Sequence, residues 1–148
     1  MSYIYKKTID LHLKTWIKFL SEDEKLSFNA ELESGEWHSI LENNEVIAIF
    51  QILTNKNDKS AKSLSINFNN HYFKNIGVSI DIILFIYDSM LDICKNENIF
   101  KLKLHIKEKF VKDVFDMIVG YEIKHANKIT NLKTYGAWID FEIIKDTV

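Results

Sequence analysis

Hydrophobic and polar positions along the chain switch between a helical and a strand period, and this switching predicts the elements. Tyr3-Ile4-Tyr5 predicts a short first strand. Asp10 is placed to cap a helix, whose apolar residues recur at helical spacing: Leu11, Leu13, Trp16, Ile17 and Leu20. Ser21-Glu22-Asp23-Glu24 has the N-cap and acidic first turn of a second helix, which runs through Leu26, Phe28 and Leu32.

The middle of the chain has the two-residue period of strands. Trp37 to Leu53 predicts a β-hairpin with its turn at Asn43-Asn44. Thr54 to Lys62 is polar throughout and predicts a connection inside one domain. Leu64 to Phe68 alternates cleanly and predicts the fourth strand.

The second half predicts two helices and three strands. Gly77 to Lys95 predicts a long helix with this apolar stripe: Ile80, Ile83, Leu84, Tyr87, Met90, Leu91 and Cys94. Phe100 to Ile106 predicts a strand, and Glu108 to Val119 predicts a helix that ends at Gly120. Tyr121 to Ile144 predicts two strands around a polar turn near Asn127 to Asn131. The order of elements predicts a mixed α/β domain.

Composition narrows the class of protein. The chain has 148 residues, 47% of them hydrophobic, which is enough for one buried core and excludes global disorder. The 19 basic and 21 acidic residues give a net charge of −2, so nucleic acid and anionic lipid are not expected partners. No apolar run approaches the roughly 18 residues of a membrane span, and Cys94 is the single cysteine. The charged N-terminus has no apolar core like that of a signal peptide, and with the lack of a membrane span and the single cysteine we expect a cytoplasmic protein. The five histidines show no HxxxH or HxH grouping, so we expect no metal site.

The segment with the clearest chemical potential lies between the fourth predicted strand and the long helix. It reads His-Tyr-Phe-Lys-Asn-Ile-Gly-Val-Ser from His71 to Ser79. A strand, a small-residue loop and a helix start favour an anion site, because the first-turn amides are unpaired and lie at the positive end of the helix dipole. Gly77 and Ser79 leave the backbone accessible there. An ordinary strand-to-helix turn with a glycine is the alternative, and spacing alone does not separate the two.

The order of elements and this loop resemble the GNAT superfamily of acyl-CoA-dependent N-acyltransferases over essentially the whole chain. In that family an [Arg/Gln]-x-x-Gly-x-[Gly/Ala] loop opens the central helix, and here Lys74-Asn75-Ile76-Gly77-Val78-Ser79 occupies that place. The Trp37 to Leu53 hairpin looks like the family's second and third strands, and Gly120-Tyr121 looks like its closing Gly-aromatic pair. The resemblance implies a single GNAT-like α/β domain over residues 1–148, with a central mixed, mostly antiparallel sheet flanked by helices.

The resemblance also implies a co-substrate, acetyl-CoA or another acyl-CoA. The end of the fourth strand, Phe68-Asn69, would lie along the pantetheine arm, although Asn69 is equally explained as a turn residue. The loop would hold the pyrophosphate through the family's matching positions: Lys74, Asn75, Ile76, Gly77, Val78 and Ser79.

The catalytic positions of the family match less well. Its members often place a tyrosine four residues before the Gly-aromatic pair, where the phenol protonates the departing thiolate. Counting back from Gly120 gives Asp116, or Phe115 if one extra residue is allowed, and neither side chain is a phenol. An ionised carboxylate is a poor proton donor at neutral pH. The position of the family's helix-four asparagine falls at Glu108 or Lys109.

Three further side chains are candidates for accepting a proton from an amine nucleophile. His71 and Tyr72 lie at the mouth of the loop, and His105 lies on the outgoing strand. Imidazole exchanges protons readily near neutral pH, which suits this role. The alternative for each is a half-buried polar residue whose hydrogen bonds are made by the backbone.

The sequence therefore supports two hypotheses. The first is an N-acyltransferase that moves an acetyl or short acyl group from acyl-CoA to a primary amine on a small molecule or peptide. The second is a catalytically degenerate relative that binds acyl-CoA or a protein partner without turnover. The acceptor amine, the acyl chain length and the choice between monomer and homodimer stay open.

Overall fold

The computed structural model of the protein describes residues 3–17, 22, 36–74, 77–125 and 128–144. Its strands are β1 (Tyr3–Lys7), β2 (Glu36–Glu42), β3 (Glu45–Asn55), β4 (Ser60–Ser63), β5 (Ile66–Phe68), β6 (Lys101–His105), β7 (Ile129–Tyr135) and β8 (Trp138–Ile143). Its helices are α1 (Asp10–Ile17), α2 (Asn70–Phe73), α3 (Ile80–Asn96) and α4 (Lys109–His125). The second predicted helix, from Ser21 to Leu32, lies outside the described residues except for Glu22.

The described strands form one mixed sheet in the order β1-β2-β3-β4-β6-β8-β7, with β5 paired to β3 outside this path. Neighbours are antiparallel except for β4 and β6, which run parallel from Ser60↔Lys101 to Ser63↔Leu104. The connection between the parallel strands β4 and β6 is long enough to cross over the sheet, because it includes β5, α2 and α3. The expected central sheet, mixed and mostly antiparallel, is confirmed.

The two faces of the sheet are covered unequally. Helices α3 and α4 pack on one face over the main core, which includes Phe50, Leu102 and Phe141. Helix α1 packs on the other face, where Trp16 meets a smaller cluster: Trp37, Leu41, Val46 and Ile49. None of the described helices is long and apolar enough to cross a membrane.

The predicted hairpin is confirmed. Strands β2 and β3 pair from Glu36↔Ile52 to Glu42↔Glu45, and the turn between them is Asn43-Asn44. Asn43 and Asn44 both have positive φ, 51° and 64°. Two-residue hairpin turns need this left-handed backbone, and asparagine adopts it more easily than most residues.

The connection predicted for Thr54 to Lys62 is wrong. Strand β3 extends to Asn55, Ser60–Ser63 form β4, and only residues 56–59 turn. Within β4 only Ala61 and Ser63 are buried, and both are small, so this strand carries no strong hydrophobic signal. The following strand is also shorter than predicted, because Leu64 and Ser65 lie outside β5.

The boundary and face of the long helix differ from the prediction. Helix α3 begins at Ile80, because Gly77 is left-handed at φ +70° and Ser79 is extended. Ile80 and Leu84 are 49% and 40% exposed, whereas the neighbouring helix positions that the predicted stripe left out are buried: Ile82, Ile86 and Ile93. The first two turns are apolar on almost every side, so periodicity alone does not identify the buried face.

The predicted end of the next helix at Gly120 is also wrong. Helix α4 continues through Gly120 to His125, since Val119 is buried and Ile123 packs against the core on the same helix. Packing of this kind outweighs the cost of about 1 kcal/mol for glycine inside a helix. The last hairpin turns at Gly136-Ala137, not near Asn127 to Asn131. Asn131 lies inside β7, where the strand bulges and its φ is +56°.

Candidate functional site

A cleft opens where the chain changes partners between β4 and β5. Strand β4 pairs with β6 up to Ser63↔Leu104, but β5 pairs with β3 and leaves the end of β6 without a neighbour on that side. The cleft between β5 and β6 has a volume of about 110 Å³. Its lining residues are Leu64, Ser65, Ile66, Asn67, Phe68, His105, Ile106, Lys107, Glu108 and Val111.

The β5 wall presents backbone groups to the cleft. The Gln51 amide donates to the Ser65 carbonyl at 3.2 Å, and the Asn69 amide donates to the Ile47 carbonyl at 2.9 Å. Because peptide groups alternate in direction along a strand, those of Ile66 and Phe68 point the other way, towards the cleft. Phe68 was a candidate from the sequence, whereas Ile66 was missed because its role depends on the register with β3.

The β6 wall presents backbone groups in the same way. The Ile106 amide donates to the Ala137 carbonyl at 2.8 Å, on the β8 side. The peptide groups of His105 therefore face the cleft. Two strand edges with unpaired polar backbone thus oppose each other, and such edges can bind an extended chain that carries its own amides.

The predicted anion loop follows β5 and leads into the 17-residue helix α3. Lys74 is exposed, and the Gly77 amide donates to the Phe73 carbonyl at 2.8 Å. Val78 packs against the core and Ser79 is the N-cap of α3. Asn75 and Ile76 lie outside the described residues. The unpaired first-turn amides of a helix this long favour an anion at its start.

Carboxylates gather beside this loop. Burial is the largest cause of the raised pKa of Tyr3, and a hydrogen bond with Ser79 lowers this pKa. The negative charges of Glu42 and Asp81 both raise it further. Glu45 acts on Tyr72 in the same direction. Their negative charge opposes the binding of a diphosphate at the start of α3, so the electrostatics of the loop are mixed.

Tyr72 is tied to the hairpin and not to the cleft. Its hydroxyl donates to the Glu42 carboxylate, and this hydrogen bond, with burial, raises the pKa of Tyr72 to about 12. The phenol therefore keeps its proton at neutral pH, which counts against its assignment as a proton acceptor. His71 precedes it in α2, but the His71 side chain lies outside the described residues.

Asn69 holds the turn that leads out of β5. Its side-chain nitrogen donates to the Val46 carbonyl at 3.1 Å, and its side-chain oxygen accepts from the Tyr72 amide at 3.1 Å. The residue is 4% exposed. Both ends of the amide are engaged, which fixes the direction of the chain after Phe68.

His105 is the one candidate proton acceptor with a described side chain that lines the cleft. Its neighbours Leu104 and Ile106 are buried beneath α3 and α4, so the imidazole projects from the opposite face of the sheet. There its ring lies 4.6 Å from the ring of Trp138, centroid to centroid. The structure therefore brings His105 and Phe68 to opposite walls of one cleft.

Asp116 is not among the residues that line the cleft. The Lys112 ammonium donates to its carboxylate at 3.0 Å and also to the Thr134 hydroxyl at 2.8 Å, which directs the pair towards β7. The count that led to Asp116 started from Gly120, which lies inside α4 and closes no element. The carboxylic acid at the position given by that count, Asp116, thus lies outside the cleft.

Comparison with known proteins gives matches in structure only. No family model and no curated protein matches the sequence. The chain is similar to the ribosomal-protein-S18-alanine N-acetyltransferase of Escherichia coli, with a TM-score of 0.60 and 10% identity over 99% of this chain and 97% of that one. It is similar to a GNAT-family acetyltransferase of Staphylococcus aureus, with a TM-score of 0.56 and 11% identity over 95% and 99% of the chains. It is also similar to a Bacillus subtilis acetyltransferase in complex with CoA, with a TM-score of 0.55 and 9% identity over 96% and 98%.

These matches cover nearly the whole length of each chain, while the identities are low. They establish the fold: this chain has the fold of the GNAT-family acetyltransferases, as the resemblance in sequence order implied.

Proposed function

We propose that this GNAT-fold chain transfers an acetyl or short acyl group from an acyl-CoA to a primary amine. The observation that carries the proposal is the cleft between β5 and β6, whose two walls are strand edges with free backbone groups. The proposal takes residues 1–148 as one acyltransferase domain. Its single cysteine, Cys94, is buried and reduced, which fits a cytoplasmic location.

The residues of the cleft fit the pantetheine arm of coenzyme A. That arm is narrow and carries two amides, and the peptide groups of Ile66 and Phe68 offer it the donors and acceptors of an added strand. The loop from Lys74 to Ser79 would hold the diphosphate through the backbone amides at the start of α3 and the Lys74 ammonium. When bound, the co-substrate supplies an acyl group activated as a thioester.

The chain's own contribution to the reaction is positioning and proton transfer. The β5 and β6 edges orient the thioester and exclude water from the cleft, and holding two reactants in register removes a large part of the barrier. The His105 imidazole lies on the opposite face of the sheet from α3 and α4, where an amine can approach. It is the residue we assign to accept the proton that the amine loses as it becomes an amide.

The experiment that tests the binding site compares two glycine substitutions by calorimetric titration with acetyl-CoA. Gly77→Glu places a carboxylate at the loop, and we expect it to abolish binding. Gly120→Glu adds the same side chain on α4, where a side chain meets open space, so we expect it to bind like the unmodified protein. Equal affinity for the two variants would contradict the assigned site.

A second candidate function is binding of acyl-CoA without turnover. The observation that favours it is the absence of a phenol from the described residues that line the cleft. Amine-dependent turnover and acetyl-CoA affinity, measured for the unmodified protein and for His105→Gln, separate the two functions. An enzyme should lose about 10²-fold in kcat/KM while keeping its acetyl-CoA affinity. A binder has no amine-dependent turnover even before the substitution.

A further inference from the structure

The sheet face that carries His105 continues into a groove that the proposed reaction has not yet used. The groove has a volume of about 1000 Å³ and is formed by residues of β3, β4, β6, β7 and β8. Leu64 lines both this groove and the cleft, so the two spaces adjoin at this residue. An acceptor whose amine lies at His105 therefore has room to extend along the sheet.

The strand register arranges the groove into rows that cross the sheet. The row nearest the cleft is His105, Trp138 and Tyr135; the next is Lys62, Lys103, Asp140 and Lys133; the third is Ser60, Lys101 and Glu142. Side chains in these rows share a face because they occupy alternate positions of each strand. Each row lies two residues, or about 7 Å, further from His105 along β6.

The carboxylates of the groove already have partners. Asp140 lies 3.9 Å from the Lys103 ammonium and accepts a hydrogen bond from the Tyr135 hydroxyl at 3.1 Å. Glu142 accepts from the Asn131 side-chain amide, and Asp58 at the rim accepts from the Ser60 hydroxyl.

Three lysines of the groove have no such partner. Lys62, Lys101 and Lys133 form no ion pair within 4 Å with any acidic group of the described residues. All three are exposed and line the groove, so their charge is available to a ligand there.

We propose that these lysines are the binding points for an anionic group of the acceptor, with Lys62 on one side of the groove and Lys133 on the other. The inference rests on the proposed function and adds its substrate class: an amine that carries a carboxylate or phosphate about 8 to 13 Å from the reacting nitrogen. The lower distance corresponds to Lys62, one row along and one strand across from His105; Lys133, two strands across, and Lys101, two rows along, lie at about 12 to 13 Å. A free α-amino acid is too short to reach, and a polyamine has the wrong charge.

An extended peptide meets this requirement with an acidic side chain at its third or fourth residue, because each residue spans about 3.3 to 3.6 Å. A small ω-amino acid meets it with a chain of comparable reach. The two sources share one chemistry, and paired probes distinguish them. The peptide pair is Ala-Ala-Glu-Ala amide against Ala-Ala-Gln-Ala amide, and the small-molecule pair is 6-aminohexanoate against 6-aminohexanamide.

The test measures acetylation of each pair by the full chain and by the triple variant Lys62→Gln/Lys101→Gln/Lys133→Gln, with Lys124→Gln on α4 as the control. We expect the unmodified protein and the control to prefer the acidic member of one pair by roughly threefold to tenfold, since exposed ion pairs are individually weak. The triple variant should lose that preference, and high salt should reduce it in the unmodified protein. Equal use of the acidic and neutral probes, or a preference that survives in the triple variant, would overturn the proposal.

Direct binding keeps this result separate from the proposed transferase activity. The Trp138 ring lies 4.9 Å from the ammonium of Lys103, which lines the groove. Its fluorescence, identified by its loss in Trp138→Phe, therefore serves as a reporter of probe binding without coenzyme or turnover. Lysine-dependent binding of an acidic probe without acetylation would support the groove and count against the enzyme. Acetylation with no discrimination between acidic and neutral probes would support the enzyme and reject the groove.

Discussion

His38 is buried in the centre of β2 and has no hydrogen-bond partner among the described residues, so its replacement should stabilise the protein. The residue is 8% exposed and neither ring nitrogen has a partner. Its ring stacks on Phe50 with centroids 5.4 Å apart and meets the edge of Tyr5 at 6.3 Å. His38→Phe keeps an aromatic ring in this stack and removes both unsatisfied nitrogens.

The expected gain follows from the unpaired polar atoms. Leaving a buried polar group without a partner costs about 1 to 3 kcal/mol. A phenyl ring is slightly larger than imidazole, and overpacking offsets part of the gain. We therefore expect the free energy of unfolding at pH 7.5 to rise by about 1 to 2 kcal/mol, or the Tm by about 2 to 8 °C, for a chain of this size.

The gain should increase in acid. Burial lowers the pKa of His38 below 6.5; Glu36 opposes this shift and Lys7 adds to it. Between the folded pKa and 6.5 the unfolded chain binds a proton that the folded chain does not, so stability falls as the pH drops through that window. His38→Phe removes this proton and should flatten that part of the stability profile.

Urea unfolding followed by circular dichroism at pH 7.5, 6.5 and 5.5 measures both effects. His12→Phe is a matched control, because His12 is also 8% exposed but its Nδ1 accepts from the Ile9 amide at 3.4 Å. That variant loses a hydrogen bond and should be less stable. A destabilised His38→Phe with an unchanged m-value, or one that keeps the full acid dependence, would refute the reasoning.

Four further substitutions test three particular assignments. Gly120→Ala should raise the free energy of unfolding by about 1 kcal/mol, because the site is helical and open. Gly136→Ala should lower it, because Gly136 has a φ of +54°. A lower Tm for Gly120→Ala than for Gly136→Ala would restore Gly120 as a helix end. Asp116→Asn should keep acetylation within about twofold and cost no more than about 1 kcal/mol of stability, because asparagine keeps a side-chain oxygen for the partly buried Lys112 and pairs of this i,i+4 kind contribute little. A loss near 10²-fold in kcat/KM would make Asp116 the missing acid. Tyr72→Phe should leave the pH profile of kcat/KM between 6 and 9 unchanged, since the pKa of Tyr72 is about 12, and a shifted basic limb would show that the phenol takes part.

The elements predicted correctly from the sequence are those whose own residues determine the local backbone conformation. The Asn43-Asn44 turn needs two left-handed residues and has two asparagines, and β6 alternates strictly between lysine or histidine and leucine. Strand β4 has no such signal, because it lies between β3 and β6 and fills its buried positions with Ala61 and Ser63. At Gly120 a tertiary contact of the same helix outweighed a local stop signal.

The candidate site likewise contains residues that could be predicted from the sequence and residues whose role depends on the assembled sheet. Phe68 and His105 were predictable as site residues because each lies near the end of a strand, and both line the cleft in the structure. Ile66 depends on the register with β3, which no single strand encodes. The lysines of the groove lie on one face because of the register of β4, β6, β8 and β7, so this arrangement is visible only when the sheet is assembled.

The central claim, that the cleft and loop bind an acyl-CoA, is tested most directly by a thermal-shift titration with acetyl-CoA, with desulfo-CoA and ATP as comparison ligands. A ligand at a hundredfold excess over its dissociation constant adds about 2.7 kcal/mol to the folded state. At about 2 to 4 °C per kcal/mol, the expected rise in Tm is roughly 5 to 10 °C with acetyl-CoA and desulfo-CoA, and none with ATP. An unchanged Tm at millimolar acetyl-CoA, or an equal rise with ATP, would contradict the account.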